Sequence, residues 1–324
     1  MSSEEQRRRT AGVLAAAASY LAWGLFPLYF RALRGVPPPE VLAHRIVWSV
    51  LFMTALITAL RRWGDVARQL RVPGTLPTLA ASAVLISTNW LVYIWAVGSG
   101  HVLEASLGYF VNPLVSVLLG VFFLREPLSG RQKVAIGLAA AGVLTLMVHV
   151  GRPPWVALTL ALTFGLYGLL RKRAQVDSTA GLLAEVTLLL PLAVAWLGWQ
   201  AWQGTLHYGV EAGTTALLSA SGVITAVPLI LFAIGVRRLR LSTVGLLQYL
   251  NPTMQFAIAV FLFGEPFSRW HAVAFGCIWA SLAVYTVDAL ARSRDQGRAR
   301  RAPPPPPPPP AGPTSPAQAG RPPR

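Results

Sequence analysis

Tyr109, Asn112 and Ser116 stand at i, i+3 and i+7 inside an apolar run from Val102 to Leu124. On a helix that spacing puts the three on one face. Gln248, Asn251 and Gln255 repeat the spacing farther along. Amides and hydroxyls at lipid depth bind rather than react, and they tend to face an interior or a wet cavity. Each stripe also has a proline directly after its asparagine, Pro113 and Pro252. A proline removes one backbone donor and frees the carbonyl a turn earlier, here at Tyr109 and Gln248. Such carbonyls are tolerated in a membrane where they are buried or line a cavity. Both segments are therefore expected to line a central pocket. Asn and Gln can also serve only to bond neighbouring helices, and proline only to kink one. The recurrence of the whole pattern favours the pocket.

The ionisable residues suggest a second kind of chemistry. Glu104 stacks with Gly108 and Asn112 at i, i+4 and i+8. Desolvation favours the neutral form of a carboxyl at depth, which makes Glu104 a candidate proton carrier or cation partner. His44 and Arg45 lie in an earlier apolar run and can bind an anionic group or pair with Glu104. Glu185 lies in a later one. The alternative for all four is a structural ion pair or snorkelling to the interface. Asn89, Trp90, Tyr93 and Trp95 cluster in another run, where aromatic rings can cage an organic substrate. Trp155, Trp199, Trp202 and Trp270 suit membrane interfaces instead.

The elements that must hold these residues follow from composition. The 324 residues are 54% hydrophobic and 12% charged, against about 25% charged in soluble domains. The apolar residues fall into ten runs of about 20, the length that crosses a bilayer core: 10–31, 40–60, 75–98, 102–124, 130–150, 154–171, 179–201, 213–236, 241–264 and 268–290. The chain is expected to be an all-α polytopic membrane protein with ten transmembrane helices. The first run follows a basic segment yet outlasts a signal-peptide core, so it is expected to be a retained helix.

The net charge of +16 invites a nucleic-acid reading, which its placement removes. All Lys and Arg except Arg31, Arg34, Arg45, Arg152 and Arg269 lie in the two tails or in loops on one side of the ten runs. Positive charge marks cytoplasmic loops. Both termini are therefore expected to be cytoplasmic, and no nucleic-acid partner is expected.

Asn112 and Asn251, Pro113 and Pro252, and Glu126 and Glu265 are all 139 positions apart. The register holds without gaps for 82–141 on 221–280, and earlier runs align at 141, with WGLF (23–26) on FGLY (164–167) and His44 on Glu185. Each half has five runs, and an odd number sends the second half in from the opposite side. Agreeing with this, the REP turn (125–127) falls among basic loops and GEP (264–266) among the others. The expected organisation is a tail at 1–9, a first five-helix repeat at 10–150, an inverted second repeat at 151–290, and a disordered Pro/Arg-rich tail at 291–324. Inverted repeats build many secondary transporters, with substrate held at the repeat interface near the midplane. Two nearly equal packings of such a chain give alternating access.

Rival chemistries find little support. The histidines (His44, His101, His149, His207, His271) are scattered, with no HExxH. Cys277 is the only cysteine. No GxSxG elbow or Walker motif occurs, so neither metal nor cofactor is expected and an intramembrane enzyme is the weakest alternative. A non-transporting receptor or scaffold is stronger, although it gives the odd number of spans per repeat no purpose.

SYLAWGLFPLYF (19–30), EVLAHRIVWS (40–49), NWLVYIWAV (89–97), LEASLGYFVNPLV (103–115), YGLLRK (167–172) and RLRLSTVGLLQYLNP (238–252) resemble the RarD subgroup of the EamA family, in the drug/metabolite transporter superfamily. The likeness covers about 11–290 and leaves out the proline-rich tail. It implies a multi-pass bacterial inner-membrane carrier of ten helices. His44, Arg45, Asn89, Trp90, Glu104, Tyr109, Asn112 and Gln248 fall on its motifs. Together the readings point to a carrier of a small organic molecule, with export the expected direction. Membrane lipid surrounds it, and protons as coupling ion and a homodimeric state are left open.

Overall fold

The computed structural model describes residues 3–299, apart from 125–127, 152, 175, 240–242 and 245–246. The regular elements described are all helical. In chain order they are α1 (Ser3–Gly24), α2 (Phe26–Ala32), α3 (Pro38–Ala59), α4 (Trp63–Leu70), α5 (Thr75–Gly98) and α6 (Val102–Leu124). Then come α7 (Gly130–Val150), α8 (Trp155–Ala174), α9 (Ser178–Gln203) and α10 (Ala212–Arg238). The last are α11 (Leu250–Ala257), which runs into a π turn at Ile258–Leu262, and α12 (Arg269–Ala299). Eight membrane-length apolar helices are present among the described residues. With α8 and the short α11 they make the ten spans of an all-α polytopic membrane protein.

Two of the ten expected runs are not continuous helices. The first breaks at Leu25, between α1 and α2. Pro27 has no N–H to give the Trp23 carbonyl one turn earlier, and that carbonyl instead accepts from Gln255 Nε2 at 3.4 Å. The ninth is interrupted by a turn at Gln248–Tyr249, and its last described part, α11 with the π turn, ends at Leu262. Pro252 sits in the first turn of α11, where its missing N–H costs nothing, whereas its counterpart Pro113 lies inside the unbroken α6. Outside the runs, α4 is a short helix in the loop expected between the second and third spans. At the ends of the chain, α1 starts at Ser3, inside the expected tail, and α12 runs past residue 290 to Ala299. The REP turn and the proline run lie outside the described residues.

The packing is the same when the halves are exchanged. α1 packs on α10 as α8 packs on α5, and α1 on α11 as α8 on α6; α3 on α9 and α7 on α12 are their own counterparts. Individual contacts obey the same exchange. A Cβ placed on Gly24 would lie 2.7 Å from Met254 Cβ, and one on Gly165 would lie 3.1 Å from Val115 Cγ1. Gly24 and Gly165 are repeat partners, and so are Val115 and Met254. Likewise a Cβ on Gly142 would press on the Ala274 carbonyl, while its partner Ser281 donates to the carbonyl of Ala135, the partner of Ala274. These major packings all join one repeat to the other, so the halves are interdigitated rather than side by side.

Their opposite orientation is also visible. Ser129, just after the first turn, caps α7 with Gln132 as a capping box and donates to Asp288 Oδ2 at 3.1 Å. Its partner Ser268 pairs with His271 at 2.8 Å. Ser268 stands at the start of the span Arg269–Asp288 and Asp288 at its end. The two equivalent turns therefore lie at opposite ends of the bundle.

Loops on the basic side gather at one end. Asp177 there accepts from Gln69 Nε2 at 2.9 Å and from Arg62 Nη2 at 3.1 Å, and caps α9 through the Ala180 N–H. Burial pushes its carboxyl up, but these bonds and the Arg62 charge outweigh it and hold Asp177 below the usual carboxylate range.

Gly24→Val and Gly165→Val should each destabilise the purified protein by about 1–3 kcal/mol through overpacking. Gly168, which is exposed with nothing near its missing Cβ, should tolerate valine. Thermal midpoints that fail to separate Gly168→Val from the other two would contradict the crosswise packing.

Candidate functional site

The polar stripe on α6 changes accessibility along its length. Glu104, Tyr109 and Asn112 are half-buried and Ser116 is exposed; Ser116 Oγ donates to Asn112 Oδ1 at 3.4 Å. On the counterpart segment, Gln255 is buried while Asn251 and Gln248 are half-buried. Gln255 Nε2 donates to Asn251 Oδ1 at 2.7 Å. Gln248 lies in the turn before α11 rather than on a helical face with the other two. α6 runs towards the basic end and α11 away from it, so both stripes become more accessible towards that same end.

The other end is held shut by carboxylates. Glu265 accepts from the Val102 and Leu103 N–H groups, both at 2.7 Å. Glu104 Oε1 accepts from the Val156 N–H at 2.8 Å. Each acid thus caps the start of another helix, α6 or α8, where unpaired N–H groups and the helix dipole favour negative charge. Glu40 does related work: fully buried, it accepts from the His207 N–H at 2.8 Å, pairs with His207 Nδ1 at 2.8 Å and accepts from Gln200 Nε2 at 3.2 Å. A cavity of about 240 Å³ at this end is lined by His101, Glu104, Glu265 and His271 among others.

Between the ends lies an aromatic cluster around one cation. Arg45 is 5% exposed. Its Nε donates to Thr225 Oγ1 at 2.8 Å, and its guanidinium lies 4.1 Å from the Trp90 ring centroid and 5.7 Å from those of Phe26 and Phe30. Tyr93 packs on Phe30 and on Tyr109, each at 5.8 Å between centroids. The Tyr93 hydroxyl is buried without a partner. Arg45, Trp90, Tyr93 and Tyr109, nominated separately by the sequence, are therefore brought together, with Asn112 one turn along α6.

The other nominated residues are placed apart. Asn89 bridges to α8, donating to the Leu160 carbonyl at 3.0 Å and Thr163 Oγ1 at 2.9 Å. His44 stacks on Tyr208 at 4.7 Å, and its Nε2 has no partner. Glu185 accepts from Ser82 Oγ at 2.6 Å and Tyr167 at 3.4 Å, and lies 3.7 Å from Arg171 Nε. Neither His44 nor Arg45 pairs with Glu104: Arg45 bonds Thr225 and Glu104 caps α8. Glu40, Glu265, Asp177 and Thr225 are not among the residues the sequence nominates. The available signal for the first two is an acid beside proline at a span boundary, in PPPE and GEP.

The EamA-like transporter family matches residues 10–148. An uncharacterized transporter, YojE of Bacillus subtilis, is 48% identical over 85% of this chain and 93% of its own. Protein RarD of Escherichia coli is 42% identical over 90% of this chain and 98% of its own. The chain belongs to the EamA-like transporter family. That family lies in the drug/metabolite transporter superfamily. A more distant relative, named chloramphenicol-sensitive protein RarD in Pseudomonas aeruginosa, is 32% identical over 89% and 97% of the two chains. A solved crystal structure that is 20% identical superposes with a TM-score of 0.56 over 86% of this chain and 97% of its own, a likeness of fold. The protein is thus a multi-pass membrane transporter, and bacterial relatives of this family imply the inner membrane.

Glu265→Ala removes the cap on α6 and should cost about 1–2 kcal/mol. Hydrogen exchange should quicken at Val102 and Leu103 ahead of the rest of α6. Unchanged exchange there would show that the carboxylate does not hold this end.

Proposed function

We propose that the protein is a secondary transporter that exports a small organic molecule by alternating access. The observation that carries this reading is the pair of polar stripes, accessible from the basic end and closed off at the other by Glu265 and Glu104. Basic loops mark the cytoplasmic face, so both termini are cytoplasmic and the cleft faces the cell interior. Arg45, Trp90, Tyr93, Tyr109, Asn112 and Asn251 contact substrate. Gln248, in the turn of a broken helix, offers backbone as well as side chain, as discontinuous helices do in other transporters. Asn89 holds α8 against α5, and His44 and Glu185 lie beside the pathway. The units 10–150 and 151–290 are repeats in sequence, but each moving body contains helices of both.

Opening the far end requires Glu265 and Glu104 to leave their helix starts. Protonation weakens both caps, because a neutral carboxyl is a poorer partner for a helix N-terminus. This gives a route to proton coupling through Glu104. Metabolites should be compared in cells with and without the protein, with chloramphenicol included because of the relative's name. Any compound that changes should then move in vesicles holding the purified protein. Glu104→Gln should abolish that flux or make it insensitive to a pH gradient. Absence of flux for every such compound, or product formation in detergent, would sink the transporter reading.

A further inference from the structure

Among the described residues the Arg45 guanidinium has one hydrogen bond, from Nε to Thr225. No carboxylate among the described residues pairs with it, and its Nη1 and Nη2 groups bond to none of the described acceptors. Neither atom is among the fully buried polar atoms that lack a partner, so both touch accessible space. A buried cation left without an anion is costly. Here the Trp90 face offsets part of that cost, while the planar edge that could grip an anion is free.

The repeat shows that the scaffold does not need this charge. The repeat partners of Arg45, Trp90, Tyr93 and Thr225 are Val186, Leu229, Phe232 and Ile86. Glycine contacts, helix packings and the serine caps recur in both halves, yet the cation and its polar surroundings occur in one. A cation that symmetry does not duplicate, and whose outer edge no described protein group engages, is suited to a ligand. The hydroxyls of Tyr29, Tyr109 and Tyr93 are within electrostatic reach of the same guanidinium, and that of Tyr93 is buried and unpartnered.

We infer that the transported molecule is an organic monocarboxylate with a flat apolar body. The carboxylate lies on the free edge of Arg45 and accepts from Tyr93, and the body packs against Tyr109 and Asn112 on the open side. Guanidinium and carboxylate match in a two-bond fork. A single cation suits one negative charge better than a doubly charged phosphate. An inside-negative potential drives a monoanion outwards, so export needs no other ion. This inference rests on the transporter reading for its direction but not for the binding site.

The full chain, purified in detergent, is titrated with benzoate and phenylacetate and with the matched neutral amides, benzamide and phenylacetamide, while the thermal midpoint is followed. At least one carboxylate should raise the midpoint saturably and its amide should not. Arg45→Met should abolish the difference between acid and amide. Arg45→Lys keeps the charge but not the fork and should bind the acid about tenfold more weakly. If Arg45→Met does not fold, the lysine variant decides. The inference fails if no acid shifts the wild type, if amides match acids, or if either folded variant binds the acid as the wild type does. Vesicle flux separates the two readings: selective binding without flux removes transport and leaves the anion site. Flux of a neutral compound by Arg45→Met does the reverse.

Discussion

In lipid, a backbone group without a partner has no water to fall back on, and each proline or break in a spanning helix must be answered by a neighbour. That constraint ties this molecule together across its halves. The Trp23 carbonyl freed by Pro27 is met by Gln255, far away in sequence. Ser19 and Ser106 add further bonds between the halves, donating to the Pro228 and Pro252 carbonyls. The starts of α6 and α8 are met by Glu265 and Glu104. Most of these partners sit in the opposite repeat, so satisfying the backbone and interlocking the repeats are the same act.

The same constraint explains why polar residues are concentrated where they are. Close helix contacts through Gly24, Gly165 and Gly142 need no polar glue and use small residues instead. Polar side chains are thereby left for the bundle ends and for the interior. At the ends they form capping and ion-pair networks. In the interior they form two stripes and one aromatic-lined cation. Contact symmetry holds in the scaffold and lapses at Arg45, which separates what the fold requires from what a ligand would use.

Much of this is legible in the sequence for physical reasons. Runs of about 20 apolar residues have one outcome in a bilayer, and the 139-residue register ties Pro113 to Pro252 and Ser129 to Ser268 before any contact is known. The alignment of WGLF on FGLY marks the two glycines that later prove to make equivalent contacts. What is not legible depends on partners distant in the chain. Nothing near Pro27 says that Gln255 will reach Trp23, so the break at Leu25 is hidden. An apolar composition fits an unbroken helix at 241–264 as well as one interrupted by a turn at Gln248–Tyr249 and ending in a π turn. Asn89 looks like pathway until Leu160 and Thr163 are seen beside it. Glu104 and Glu265 look like isolated charges until the helix starts they cap are known.

The account stands on two repeats lying in opposite directions across the membrane. Single cysteines at Ser129 and Ser268, in a Cys277→Ser background, test that most directly when intact and permeabilised cells are treated with a membrane-impermeant maleimide. The account predicts that the Ser268 position labels in intact cells and the Ser129 position only after permeabilisation. Labelling of both positions from the same side would contradict it.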